Sequence, residues 1–215
     1  MTEAIKIIEE NKIIVIVRGV DKSRLIPLAE AMYEGGIRLM ECTYDSSGRA
    51  DKETAEATRM LTEHFNGRML IGAGTVVTEE QVRLTAEAGG LFIISPDTNP
   101  DVIRETKRLG LVSIPGAITP TEIMYAHRLG ADFVKLFPID LYGGVKYLKT
   151  LRAPLSCVKA LAVNGITAEN MLEYLDGGAV GVGVGSGIVN KALIEEGNYQ
   201  QITELARKYT QAICK

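Results

Sequence analysis

One pattern recurs eight times along this chain and restricts its fold more than any other feature. A short apolar, β-branched run is followed by a turn residue and then by an amphipathic stretch of helical period. The apolar runs fall at 13–19, 38–44, 69–76, 91–96, 111–117, 132–138, 158–163 and 179–186. Helical patterns follow them at 22–33, 51–64, 79–88, 100–109, 120–129, 144–151 and 167–175, with further helix towards the C-terminus and an extra helix at about 2–11. Thr78 and Thr167 stand at helix starts as N-cap candidates, Thr119-Pro120-Thr121-Glu122 puts Pro120 in a first turn, and glycines at 35–36, 67, 89–90, 110, 130 and 177–178 mark helix ends. Strand and helix in regular alternation predict parallel strands joined by crossover helices. Eight units in 215 residues fit the small end of the (β/α)8 TIM barrel range, here with an added N-terminal helix and one domain over residues 1–215. The competing fold, an open doubly wound sheet, places Gly-x-Gly-x-x-Gly after its first strand when it binds a dinucleotide. This chain has Gly19-Val20-Asp21 there.

Composition narrows the partners. A net charge of −3 without a Lys/Arg cluster argues against nucleic acid. No apolar run approaches the ~20 residues that span a bilayer, and Met1-Thr2-Glu3-Ala4 lacks a signal-peptide core, so the expected location is the cytoplasm. Cys42, Cys157 and Cys214 are odd in number and far apart, as reduced thiols are in that compartment. Two histidines, His64 and His127, both within helical patterns, exclude a multi-His metal site, and no metal or other cofactor is expected.

In a barrel of this kind the reactive side chains sit at the C-terminal ends of the strands. Lys135 lies in Asp-Phe-Val-Lys-Leu-Phe-Pro, inside an otherwise apolar run. Burial there favours the neutral amine, the form that attacks a carbonyl to give a Schiff base. Glu41 shares one strand face with Leu39 and Thr43. A carboxylate facing the barrel interior is raised in pKa and suits general acid/base work near neutral pH. A plain ion pair of Glu41 with Lys135 or Arg18 is the competing reading of these residues. Arg18 ends the first strand and offers a fork for a carboxylate or phosphate, and Thr75 ends the third with a hydroxyl. The glycine-bearing ends Val163-Asn164-Gly165 and Gly183-Val184-Gly185-Ser186-Gly187 follow the seventh and eighth strands, where such barrels bind phosphate through backbone N–H groups.

Read together, these segments resemble a known family. Val-Arg-Gly-Val (17–20), Gly-Gly-Ile-Arg-Leu-Met-Glu (35–41), Gly-Ala-Gly-Thr-Val (72–76), Ile-Ser-Pro (94–96), Ile-Pro-Gly (114–116), Val-Lys-Leu-Phe-Pro (134–138) and Gly-Gly-Val-Lys (143–146) are similar to the class I KHG/KDPG aldolases. Those enzymes cleave 2-keto-3-deoxy-6-phosphogluconate or 4-hydroxy-2-oxoglutarate to pyruvate and an aldehyde. The resemblance covers nearly the whole chain. It implies Lys135 as the Schiff-base lysine, Glu41 as the acid/base acting through water, and Thr75 and Pro96 lining a pyruvate pocket under Phe137. It further implies a phosphate held by Ser186 with Asn164, Gly165 and Gly185, a homotrimer, and no metal. Many gluconate-type members carry Arg four residues after the glutamate, where this chain has Asp45, and Pro-Thr-Gly-Gly where it has Ala162-Val163-Asn164-Gly165. The galactonate-type aldolases look closer in these segments. On that analogy Arg18 takes the substrate carboxylate, with Arg49 as a second candidate. A phosphosugar isomerase or epimerase, or a barrel that binds a phosphosugar without turnover, remain alternatives, because one barrel serves many reactions.

Overall fold

A computed structural model of the chain describes residues 2–213. Cys214, counted above among the thiols, lies outside the described residues, as do Met1 and Lys215. Strands β1 (Ile13–Val17), β2 (Leu39–Thr43), β3 (Leu70–Gly74), β4 (Phe92–Ile94), β5 (Val112–Ile114), β6 (Gly116–Ala117), β7 (Val134–Leu136), β8 (Ala160–Val163) and β9 (Gly181–Val184) form one sheet. Every ladder in it is parallel, and the strand order is β5-β4-β3-β2-β1-β9-β8-β7-β6.

The two ends of that order are consecutive in the chain, so the sheet closes into a (β/α)8 barrel through the backbone itself. The fifth apolar run, expected as one strand over 111–117, is split into β5 and β6 at Pro115. Proline has no N–H to give to a ladder. Its carbonyl still accepts from the Lys135 amide at 2.8 Å, and the Ser113 carbonyl accepts from the Asp132 and Phe133 amides. The nine strands are therefore eight barrel staves, one of them bent.

Helices α1 (Thr2–Asn11), α2 (Lys22–Glu34), α3 (Asp51–Phe65), α4 (Glu79–Glu87), α5 (Pro100–Arg108), α6 (Pro120–Arg128), α7 (Gly144–Arg152), α8 (Met171–Asp176), α9 (Lys191–Glu195) and α10 (Tyr199–Ile213) complete the fold. Thr78 caps α4 by accepting from the Gln81 amide, and Thr119 with Glu122 forms a reciprocal capping box on α6. Thr167 does not cap α8. Its hydroxyl accepts from the Asn170 amide, which closes a turn first, and the α-helix begins four residues later.

Alternation along the staves sorts the core into two layers. The outward residues pack on the surrounding helices; Cys42, for example, is buried in that layer with Leu25, Leu61 and Ile71. The inward residues Ile14, Leu39, Leu70, Phe92, Ile94, Val112, Ile114, Phe133 and Leu161 fill the barrel itself. Ala4 and Ile8 of α1 belong to this inner cluster, so the extra helix contributes to the packing inside the barrel. One alternation further up the staves, the inner line changes from apolar to reactive: Leu39 gives way to Glu41, and Phe133 to Lys135.

Candidate active site

Above the apolar filling lies a cavity of about 590 Å³. Arg18, Glu41, Thr75, Pro96, Lys135, Phe137, Asn164, Gly165, Gly185 and Ser186 all line it. The strand ends of seven different staves thus bring ten of the eleven expected site residues to one place. Arg49 is the exception. It is exposed in the loop after β2, its Nε donates to Ser47 Oγ at 3.0 Å, and it does not line the cavity. Asp45 belongs to the same loop and lines a neighbouring cavity of about 410 Å³, with Arg18 between the two.

Lys135 is buried, with Nζ 4.6 Å from the centre of the Phe137 ring. Burial lowers its pKa; the Glu41 charge works against that and the Arg18 charge adds to it. Glu41 is 2% exposed, and its Oε2 has no hydrogen-bond partner. Burial raises its carboxyl to about 7, against the opposing pull of Lys135 and Arg18. Among the described residues, no ion pair joins Glu41 to either cation. The simple ion-pair reading is therefore not the arrangement found. Room for the carboxylate is made by Gly74 on the neighbouring stave, where a Cβ would stand 2.2 Å from Glu41 Oε1. An orphaned, buried acid beside a depressed amine is a costly pairing for stability and a useful one for proton transfer.

Arg18 Nη2 donates to Thr75 Oγ1 at 2.6 Å. Thr75 holds φ at 57°, a conformation that β-branched residues rarely adopt. This strained turn aims its hydroxyl at the guanidinium and lets both face the cavity. The Phe137–Pro138 peptide is cis. On the far side, the Asn164 side chain donates to the Asp140 carboxylate, and Asn164 itself has φ 87°. The backbone amides of Gly165, Gly185, Ser186 and Gly187 have no hydrogen-bond acceptor among the described residues. Four free N–H groups on two adjacent loops are what an anion needs. The Gly185 carbonyl is meanwhile held by the amides of Ile188 and Val189, which fixes the second loop as a tight turn.

Several lining residues had no role of their own in the sequence reading, although Val163, Gly183 and Gly187 belong to the strand ends named there. Ile16, Val163 and Gly183 form the apolar floor around Lys135. They lie on the inward register of the staves, so alternation alone could have found them. Thr167 and Gly187 continue loops already singled out. Tyr209 comes from α10, outside the repeating units, and no spacing points to it. His64 and His127 sit in α3 and α6, as expected, and line no part of the cavity. Among the described residues, no three His, Cys, Asp or Glu side chains gather as metal ligands, and no helix is long and apolar enough to cross a membrane.

The chain is similar to known aldolases. The family described as "KDPG and KHG aldolase" matches residues 4–205. The chain is 35% identical over 188 residues to the 2-dehydro-3-deoxy-phosphogluconate aldolase of Treponema pallidum (strain Nichols), covering 87% of each. It is 30% identical over 202 residues to the 2-dehydro-3-deoxy-6-phosphogalactonate aldolase of Escherichia coli (strain K12), covering 94% of this chain and 96% of the relative. Among solved structures, the KDPG aldolase from Legionella pneumophila, with pyruvate captured as a covalent carbinolamine, superimposes with a TM-score of 0.85 at 30% identity, over 94% of this chain and 96% of that one. This protein is an aldolase and belongs to the KDPG and KHG aldolase family.

Proposed function

We propose that the chain is a class I aldolase that cleaves a phosphorylated 2-keto-3-deoxy sugar acid to pyruvate and an aldehyde such as glyceraldehyde 3-phosphate. One observation carries this reading: a buried lysine of lowered pKa and a buried, unpartnered carboxylate of raised pKa share the inner face of one barrel mouth. The neutral Lys135 amine attacks the C2 ketone. Loss of water from the carbinolamine gives a protonated imine. Glu41, through a water, takes the proton of the C4 hydroxyl. The C3–C4 bond breaks, its electron pair passes into the imine, and the aldehyde leaves. Protonation of the resulting enamine at C3 and hydrolysis of the imine release pyruvate and restore the amine. The imine lowers the barrier because negative charge developing at C3 is delocalised onto nitrogen.

Arg18, held by Thr75, takes the substrate carboxylate, with Pro96 and Phe137 enclosing the pyruvyl end. Asn164, Gly165, Gly185 and Ser186 take the phosphate. The position of Arg18 in the cavity, with Arg49 and Asp45 outside it, favours a galactonate-type substrate alongside the gluconate type. Unphosphorylated 4-hydroxy-2-oxoglutarate is a third, shorter substrate for the same chemistry. The free thiols of Cys42 and Cys157 support residence in a reducing cytoplasm.

Borohydride treatment in the presence of pyruvate, read by intact mass and peptide mapping, tests the chemistry. A single reduced pyruvyl adduct on Lys135 is expected, and Lys135→Ala removes it together with at least about 10³-fold of kcat. An unmodified Lys135 would sink the Schiff-base mechanism.

A further inference from the structure

Tyr209 is part of the site, although it lies in the last helix and outside every β/α unit. Its ring belongs to the helix-facing core, where Ile202, Ala206 and Tyr209 form the i, i+4, i+7 stripe by which α10 is buried. Hydrogen bonds from Thr203 to the Ala31 carbonyl and from Thr210 to the Gly35 carbonyl clamp α10 onto α2, which sets the depth to which the tyrosine reaches. Its hydroxyl emerges at the cavity wall beside Ser186 and Gly187. A Cβ at Gly187 would stand 2.1 Å from that hydroxyl oxygen. The missing side chain of Gly187 is thus the opening through which Tyr209 reaches the loop whose amides are free.

The hydroxyl has a proton to give. The Ala168 backbone amide acts on its oxygen only weakly, lowering the pKa less than burial and Glu169 raise it, and the O–H is left for another partner. Burial and the Glu169 charge raise the phenol above its usual value, which keeps it protonated across the physiological range. A neutral donor against Gly187, in the loop that carries three of the unpaired amides, complements an oxyanion.

We infer that Tyr209 is a specificity-determining ligand: its hydroxyl donates to the terminal phosphate of the substrate at the Gly185–Gly187 loop, and so couples the C-terminal helix to recognition of phosphorylated substrates. This rests on the aldolase reading above for the identity of the substrate, but not for the binding of phosphate itself.

Inorganic phosphate is the probe, titrated into the full chain and into Tyr209→Phe and Gly187→Ala, with binding followed by ³¹P NMR. The wild type is expected to bind it. Tyr209→Phe should weaken it about tenfold or more, as loss of one hydrogen bond to a charged oxygen does, and Gly187→Ala should do likewise by displacing the hydroxyl. With substrates, the ratio of kcat/KM for a phosphorylated over an unphosphorylated 2-keto-3-deoxy acid should fall by the same factor in Tyr209→Phe, mainly through KM. A purely structural tyrosine would lower both substrates together. Equal phosphate affinity in wild type and Tyr209→Phe, or no phosphate binding by the wild type, overturns the inference. Absence of the Lys135 adduct in the wild type would overturn the aldolase reading instead, and the phosphate titration would still decide the role of Tyr209.

Discussion

Glu41 shows how far the site departs from what stability alone would select. A carboxyl that titrates near 4.5 in an unfolded chain titrates at about 7 in the folded one, because burial disfavours its charge more than Lys135 and Arg18 favour it. The unfolded chain therefore releases this proton first. The stability associated with Glu41 is fully present below about pH 4.5 and is lost as pH rises through 7. Glu41→Gln keeps the shape and removes the charge. Its melting temperature relative to wild type should rise steadily between pH 5 and pH 8, by roughly 5 °C over that window for a chain of this size. Thermal melts at a series of pH values read this directly; a difference that stays constant with pH would mean that the folded carboxyl is not raised. In the proposed mechanism the same substitution removes the proton acceptor, so kcat should fall by about 10² to 10⁴. Gain in stability with loss of turnover is the signature of a charge retained for chemistry.

At the scale of elements, the extra helix contributes to the barrel interior. Ile8 has no exposed surface and packs with Ile14, Leu39, Leu70 and their neighbours in the layer directly beneath the reactive one. Ile8→Ala should cost about 2–5 kcal/mol, read as a shift in urea midpoint at constant slope. An unchanged midpoint would mean that α1 is not docked in solution. The elements also show what a sequence makes legible. Helices with local punctuation, such as the Thr119–Glu122 capping box and the Thr78 cap, could be read directly, because the signal and the structure lie within four residues. The inward register of Glu41 and Lys135 could be read for the same reason, since alternation is local. The break at Pro115 could not be placed as precisely, because a bent stave and a straight one share the same apolar run. The delayed start of α8 was hidden by Thr167, which uses its cap-like hydroxyl for a turn instead. In the sequence Arg49 stands as a second candidate beside Arg18. Only the path of the loop, with Ser47 holding the Arg49 guanidinium, separates them. Tyr209 is the clearest case, since it meets Gly187 across 22 residues of chain and through a gap that only packing creates.

For the whole molecule, the surface raises the remaining question of assembly. Leu141 and Tyr142 are 75% and 54% exposed on the 3₁₀ turn Ile139–Tyr142, directly after the strand that carries Lys135. Apolar side chains scattered singly over a surface need no partner, but two adjacent ones on a rigid turn at the rim of an active site form a natural contact point. The expected homotrimer would bury such a point three times over, as a closed cyclic assembly does. Sedimentation equilibrium should then give about 70 kDa, three times the 23.3 kDa chain. Leu141→Asp combined with Tyr142→Glu should shift the mass towards 23.3 kDa while far-UV circular dichroism is kept, because neither side chain belongs to the core. If the trimer persists in that variant, a different face holds it. If the wild type sediments as a monomer, the exposed turn instead faces solvent beside the cavity. The 3₁₀ turn also carries Asp140, the partner of Asn164. A trimer contact here would therefore act on the loop proposed to hold the phosphate, and the monomeric variant should show a raised KM for the phosphorylated substrate with little change in the yield of pyruvyl adduct on Lys135.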